Sequence, residues 1–155
     1  MKKFKRISII TTLAISLLTV GSASVFAAQG LGDTMATAVS LYTSGGGSTS
    51  SYAPIDGPND NDWYLIDNTG SDSSLTFSFL MTPPSGLDYN MQLIKTDAAG
   101  NILSTSTYNY SGPGGVEGGA TGLKAYQKAY IRVYSQGPSD YDSNRAYSLI
   151  FTKQN

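Results

Sequence analysis

The stretch Ala129-Tyr130-Ile131-Arg132-Val133-Tyr134 alternates apolar residues with aromatic and cationic ones. Successive side chains of a β-strand point to opposite faces of the sheet. One face of this stretch therefore carries only aliphatic groups, and the other carries two phenol rings and a guanidinium. This pattern predicts a half-buried strand that covers a hydrophobic core with one face and meets solvent with the other.

The same period of two recurs along the chain between clusters of turn residues. Leu75, Phe77 and Phe79 share one face of a second strand. We expect about eight short strands, near residues 39–42, 51–55, 62–68, 74–81, 89–95, 102–108, 129–135 and 146–152. Strands at this spacing predict an all-β fold, an antiparallel β-sandwich of the jelly-roll type. The glycine-rich segment 112–122 is predicted to be a mobile loop.

The first 28 residues have the order of a secretory signal peptide. Four cations in residues 1–6 precede an apolar run over 7–20, and Val25-Phe26-Ala27-Ala28 ends the segment with small residues. An apolar centre of about 14 residues is shorter than the roughly 20 that a membrane-spanning helix needs. We expect cleavage after Ala27 or Ala28, a signal peptide at 1–28 and a single domain at 29–155. The predicted location is extracellular, without membrane association after cleavage.

Composition excludes several classes of function. The chain has 10 basic and 11 acidic residues, and loss of the four signal-peptide cations leaves a net charge of −5. An acidic protein without a basic stripe is poorly suited to nucleic acid or to an anionic membrane. The chain has no Cys and no His. It therefore lacks the groups for Ser-His-Asp or Cys-His catalysis and for most zinc sites, and we expect no enzymatic activity.

Four motifs in register resemble the bacterial pre-peptidase C-terminal domain family. They are Asn59-Asp60-Asn61-Asp62-Trp63-Tyr64-Leu65-Ile66, the segment 87–103 with Asp97-Ala98-Ala99-Gly100-Asn101, the stretch 129–134 quoted above, and Ala146-Tyr147-Ser148-Leu149-Ile150-Phe151. The collagen-binding domains of bacterial collagenases are similar. The resemblance implies a β-sandwich with a binding or accessory role, here without an attached protease, and it points to calcium.

A calcium site is predicted at Asp33, Asn59, Asp60 and Asp62. Calcium takes six to eight oxygen ligands, and a turn with alternate carboxylates supplies several of them. The calcium-binding relatives carry Glu-x-Asn-Asp in the N-terminal segment. The aligned residues here are Gly30-Leu31-Gly32-Asp33, so that only Asp33 remains. The alternative is that Asp60 and Asp62 bond to the backbone around a turn.

A binding face is predicted at Tyr130, Arg132 and Tyr134. They project from one face of a strand at intervals of about 6.7 Å, and rings flanking an arginine suit a protein or a glycan. The alternative is that these tyrosines only cover the sheet. Trp63, next to an apolar strand, is expected in the core rather than in the binding face.

These observations favour a secreted, monomeric, non-catalytic module that binds an extracellular protein or polysaccharide, of the adhesion or matrix type. The alternative hypothesis is an accessory factor, an inhibitor or a folding assistant, that acts in trans on a secreted hydrolase. The first hypothesis predicts binding to insoluble polymers without any enzyme. The second predicts co-purification with one enzyme.

Overall fold

A computed structural model describes residues 32–154 and shows an all-β sandwich of two sheets. A single turn of 3-10 helix, Met35–Thr37, precedes nine strands. The strands are β1 (Val39–Thr43), β2 (Thr49–Ala53), β3 (Asn61–Asp67), β4 (Leu75–Thr82), β5 (Tyr89–Thr96), β6 (Ile102–Tyr108), β7 (Glu117–Leu123), β8 (Lys128–Ser135) and β9 (Tyr147–Lys153). The predicted fold class is confirmed, with nine strands in place of about eight.

The chain divides its strands between a five-stranded sheet, in the order β1-β3-β8-β5-β6, and a four-stranded sheet, in the order β2-β9-β4-β7. Neighbouring strands are antiparallel at every pairing except that of β1 with β3, which is parallel. Parallel neighbours require a crossover connection. Here β2 supplies it, because the chain leaves β1, crosses to the other sheet and returns to β3.

The core lies between the two sheets and is rich in aromatic rings. Phe77 of β4 packs against Phe151 of β9 with ring centroids 5.3 Å apart. Ile131 and Val133 of β8 are fully buried beneath them in the five-stranded sheet. The faces predicted from the alternation in β4 and β8 are therefore correct.

Strand β7 contradicts the predicted loop over 117–122, whereas residues 112–116 do form a turn segment outside the strands. Glu117–Leu123 pairs along its whole length with β4 at the edge of the four-stranded sheet. The glycines that indicated a loop are needed for close approach: a Cβ at Gly118 would lie 2.2 Å from the carbonyl oxygen of Phe79. Glycine in a strand often marks such a contact between backbones.

The first described residues are held against the start of β3. The amide of Trp63 donates to the carbonyl oxygen of Gly32 at 2.8 Å. Thr34 then caps the 3-10 turn, because its hydroxyl accepts from the amide of Thr37. The predicted signal peptide lies outside the described residues. No helix in residues 32–154 is long and apolar enough to cross a membrane.

Candidate functional site

Strand β8 lies in the middle of the five-stranded sheet, between β3 and β5. Ile131 and Val133 of this strand are buried. The residues that alternate with them lie on the outer surface of the sheet, where all three are half-buried: Tyr130, Arg132 and Tyr134. The cross-strand register then decides their neighbours. Arg132 lies opposite Trp63 of β3, and opposite Gln92 of β5.

Trp63 belongs to this outer surface, so its predicted place in the core is wrong. It is half-buried and alternates along β3 with Tyr64 and Ile66, both fully buried. The alternation was readable in the sequence, because a tyrosine and an isoleucine at even positions leave the tryptophan on the opposite face. We call Trp63, Tyr130, Arg132 and Tyr134 together the aromatic–arginine face.

Arg132 is clamped in place by three contacts. Its guanidinium carbon lies 4.5 Å from the ring centroid of Tyr134 and 5.8 Å from that of Trp63. Its Nε donates to the side-chain oxygen of Asn61 at 2.7 Å. Cation–π stacking and a charge-assisted hydrogen bond therefore fix the guanidinium plane before any ligand arrives. Asn61 was not singled out as a site residue, since its role depends on a contact between strands.

The two tyrosines have different surroundings. Tyr130 lies between Leu65 and the buried Ile94, so its neighbours across both strand pairings are aliphatic. Tyr134 lies between the amide side chains of Asn61 and Asn90. Tyr130 therefore combines the predicted binding position with a packing role, whereas Tyr134 stands in a polar row beside Arg132.

Asp62 points the other way, into the interior between the sheets. It is fully buried, and one of its carboxylate oxygens accepts from the Tyr147 hydroxyl at 2.6 Å. The other oxygen has no hydrogen-bond partner among the residues that the structure describes. Burial, together with the nearby carboxylates of Asp60 and Asp56, raises the pKa of Asp62 to about 7, although the bond from Tyr147 opposes the shift.

Of the other predicted metal ligands, Asp60 and Asp33 lie close enough to Asp62 to raise the pKa of its carboxyl. Asp33 has one buried oxygen without a hydrogen-bond partner, and Asp60 accepts from the amide of Asp56 at 2.7 Å. Asn59 is exposed. In the described chain no group of three or more acidic residues is arranged to hold a metal ion. Two orphaned oxygens fall short of a calcium shell, so the arrangement does not fit a closed calcium site.

Neither a protein-family model nor a curated protein matches the chain. Solved structures with a similar fold include the pre-peptidase C-terminal domain of collagenase from Bacillus anthracis, the family that the sequence motifs resemble. It has 15% identity and a TM-score of 0.49, over 74% of this chain and 94% of that one.

Two further solved structures come from proteins of other types. PliG of Aeromonas hydrophila, a periplasmic inhibitor of g-type lysozyme, matches at 17% identity and a TM-score of 0.47, over 76% of this chain and 96% of that one. A CocE/NonD family hydrolase from Staphylococcus aureus matches at 10% identity and a TM-score of 0.33, over 70% of this chain but 31% of that one. At these identities the likeness concerns the course of the chain and not its side chains.

Proposed function

We propose that this protein is a secreted, non-catalytic binding module that contacts an extracellular polysaccharide or protein through its aromatic–arginine face. The observation that carries the proposal is the placement of Trp63 and Tyr134 around Arg132 on the outer surface of the five-stranded sheet. Rings that flank a fixed cation offer both apolar contact area and directed hydrogen bonds. Such residues dominate the energetics of binding surfaces.

The experiment is a binding assay on insoluble polymers. The purified protein is mixed with collagen, bacterial cell wall and insoluble glycans, and the bound fraction is measured after centrifugation. We expect the double variant W63A/Y134A to bind its polymer at least tenfold more weakly than the unchanged protein. The control is Tyr52→Ala, which removes a tyrosine that is 69% exposed on the opposite sheet. Equal binding by the protein and the double variant would overturn the proposal.

Two preparations, the purified protein and a culture supernatant, separate the two functional hypotheses. A module of the adhesion type binds polymer in the absence of any enzyme. An accessory factor is instead recovered with one hydrolase when the protein is isolated from a culture supernatant.

The secreted protein is expected to begin at Ala28 or Gln29, and recovery of intact Met1 in the medium would contradict the signal peptide.

A further inference from the structure

Arg132 is a half-buried cation that forms no ion pair with any acidic residue in the described range 32–154. The one ion pair between described residues joins Arg145 to Asp142, and it lies on an exposed turn. The chain nevertheless has 11 acidic residues against 10 basic ones, so carboxylates are plentiful. The sheet places uncharged side chains beside Arg132 instead, with Trp63 and Gln92 directly opposite and Asn61 accepting from its Nε.

The contacts that hold the guanidinium use only part of its donor capacity. An arginine has five N–H donors arranged as a rigid fork, and Asn61 accepts from the one on Nε. No group in the described part of the chain accepts from the two terminal nitrogens. Stacking against Tyr134 and Trp63 fixes the plane in which those nitrogens lie. The geometry of the fork matches a carboxylate, which accepts two parallel hydrogen bonds.

The groups around the fork indicate what carries that carboxylate. The surface is a row of ring faces and amide side chains on a sheet, formed by Trp63, Tyr134, Asn61 and Gln92. Aromatic rings accept the apolar side of a sugar ring, and amides exchange hydrogen bonds with its hydroxyl groups. A sugar that bears a carboxylate uses all of these groups at once, whereas an isolated acidic side chain of a peptide uses the guanidinium alone.

We propose that the ligand of the aromatic–arginine face is an acidic polysaccharide, whose uronate-type carboxylate pairs with the terminal nitrogens of Arg132. A sugar ring lies against Trp63 or Tyr134, and the amide of Gln92 faces its hydroxyl groups. This inference rests on the proposed function and narrows it from an extracellular polymer to one with carboxylates. Because the protein is acidic overall, recognition depends on this fixed cation rather than on general attraction to a polyanion.

The single tryptophan of the chain lies in the proposed site, so its fluorescence reports on binding directly. The purified protein is titrated with oligomers of galacturonate, alginate and hyaluronate. Each is paired with its methyl ester, which keeps the sugar and removes the charge. We expect at least one acidic oligomer to change the Trp63 emission saturably, and its methyl ester to bind at least tenfold more weakly.

Variants identify the side chain that binds the carboxylate of the ligand. Arg132→Gln is expected to reduce the affinity for the acidic oligomer at least tenfold, and Arg132→Lys to recover only part of it, since an ammonium lacks the fork. The matched control is Lys128→Gln, which removes a charge from the same face of the same strand and should change affinity less than twofold. Thermal melts of each variant verify that it is folded.

Each unfavourable outcome has its own meaning. Equal binding of an oligomer and its methyl ester overturns carboxylate recognition but leaves the proposed function standing. Binding of hexaglutamate in place of every acidic oligomer overturns the polysaccharide assignment. If Lys128→Gln and Arg132→Gln weaken binding equally, the attraction is unspecific. A protein that binds an insoluble polymer through Trp63 and Tyr134 but none of these acidic oligomers retains its proposed function and refutes the inference.

Discussion

The hydroxyl groups of Tyr64 and Tyr147 lie 2.5 Å apart and join the two sheets of the sandwich across its interior. Tyr64 belongs to β3 and Tyr147 to β9, and the Tyr147 hydroxyl also reaches Asp62. A chain without cysteine has no disulfide between its sheets. This buried polar contact therefore adds a directional link to the hydrophobic packing.

Tyr147→Phe is expected to lower the free energy of unfolding by about 1–3 kcal/mol, because it deprives a buried carboxylate of its partner. Denaturation with urea measures the change. Thr96→Val is the control, since it removes a buried hydroxyl that has no hydrogen-bond partner. That variant should be neutral or slightly more stable than the parent protein. A neutral Tyr147→Phe would show that the contact between the sheets contributes nothing net.

The titration of Asp62 predicts how stability depends on pH. The folded protein has a pKa of about 7 at this carboxyl, against 3.8 as the ordinary value, so it holds the proton more tightly than the unfolded chain. Protonated Asp62 therefore stabilises the folded protein fully below pH 4, and this stabilisation is lost as the pH rises through 7. We expect the free energy of unfolding to fall between pH 5 and pH 8, by at most about 2.5 kcal/mol.

The measurement is urea denaturation at both pH values in the presence of a chelator. Asp62→Asn should flatten the dependence, because it removes the titrating group while keeping an acceptor for Tyr147. A parent protein whose stability rises from pH 5 to pH 8 would show that Asp62 is ionised without cost.

Calcium is expected to bind weakly, because Asp33 and Asp62 offer one orphaned oxygen each among the described residues. Melting temperatures in millimolar calcium and in chelator should then differ by no more than about 2 °C. A ligand that binds only the folded state raises the melting temperature in proportion to its occupancy. A rise of about 5 °C or more, abolished by Asp62→Asn, would establish the site that the sequence predicted.

Gly118→Ala should destabilise the protein by about 1–3 kcal/mol, since a new methyl group collides with the backbone of β4. Ala120→Val is the matched control on the same strand, because its side chain is exposed and valine favours strands. Thermal denaturation of the two variants compares them. If both are neutral, β7 can move away from β4 without cost.

Ile131→Ala is expected to cost about 2–5 kcal/mol, because its side chain is fully buried between the sheets. Arg132→Ala, at the next residue, should cost much less, since its contacts lie on the outer surface. Denaturation curves of the two variants test the assignment of faces in β8. Equal losses would mean that the aromatic–arginine face supports the fold as much as the core does.

The sequence was most informative where one residue type repeated with a period of two. The alternation predicted two strands and their buried faces correctly, because burial of one side of a sheet imposes that period. The buried residues that showed it are Phe77, Phe79, Ile131 and Val133. Strand β7 was not predicted, because its glycines allow the backbone to pack closely against β4, and no local sequence pattern reveals that contact. Only part of the site could be predicted, because contacts between strands do not show in the local sequence. Tyr130, Arg132 and Tyr134 share a strand, whereas Trp63 and Asn61 reach them only through the pairing of β3 with β8.

The position of β9 governs when this chain can fold. Strand β9, the last in chain order within the described residues, lies inside the four-stranded sheet between β2 and β4 and bonds to both of them. A ribosome must therefore release residues 147–153 before that sheet can close, and the hydrophobic rings of β4 remain uncovered until then. A chain that terminates early in translation loses a central strand, so it yields an aggregation-prone fragment rather than a shorter version of the domain.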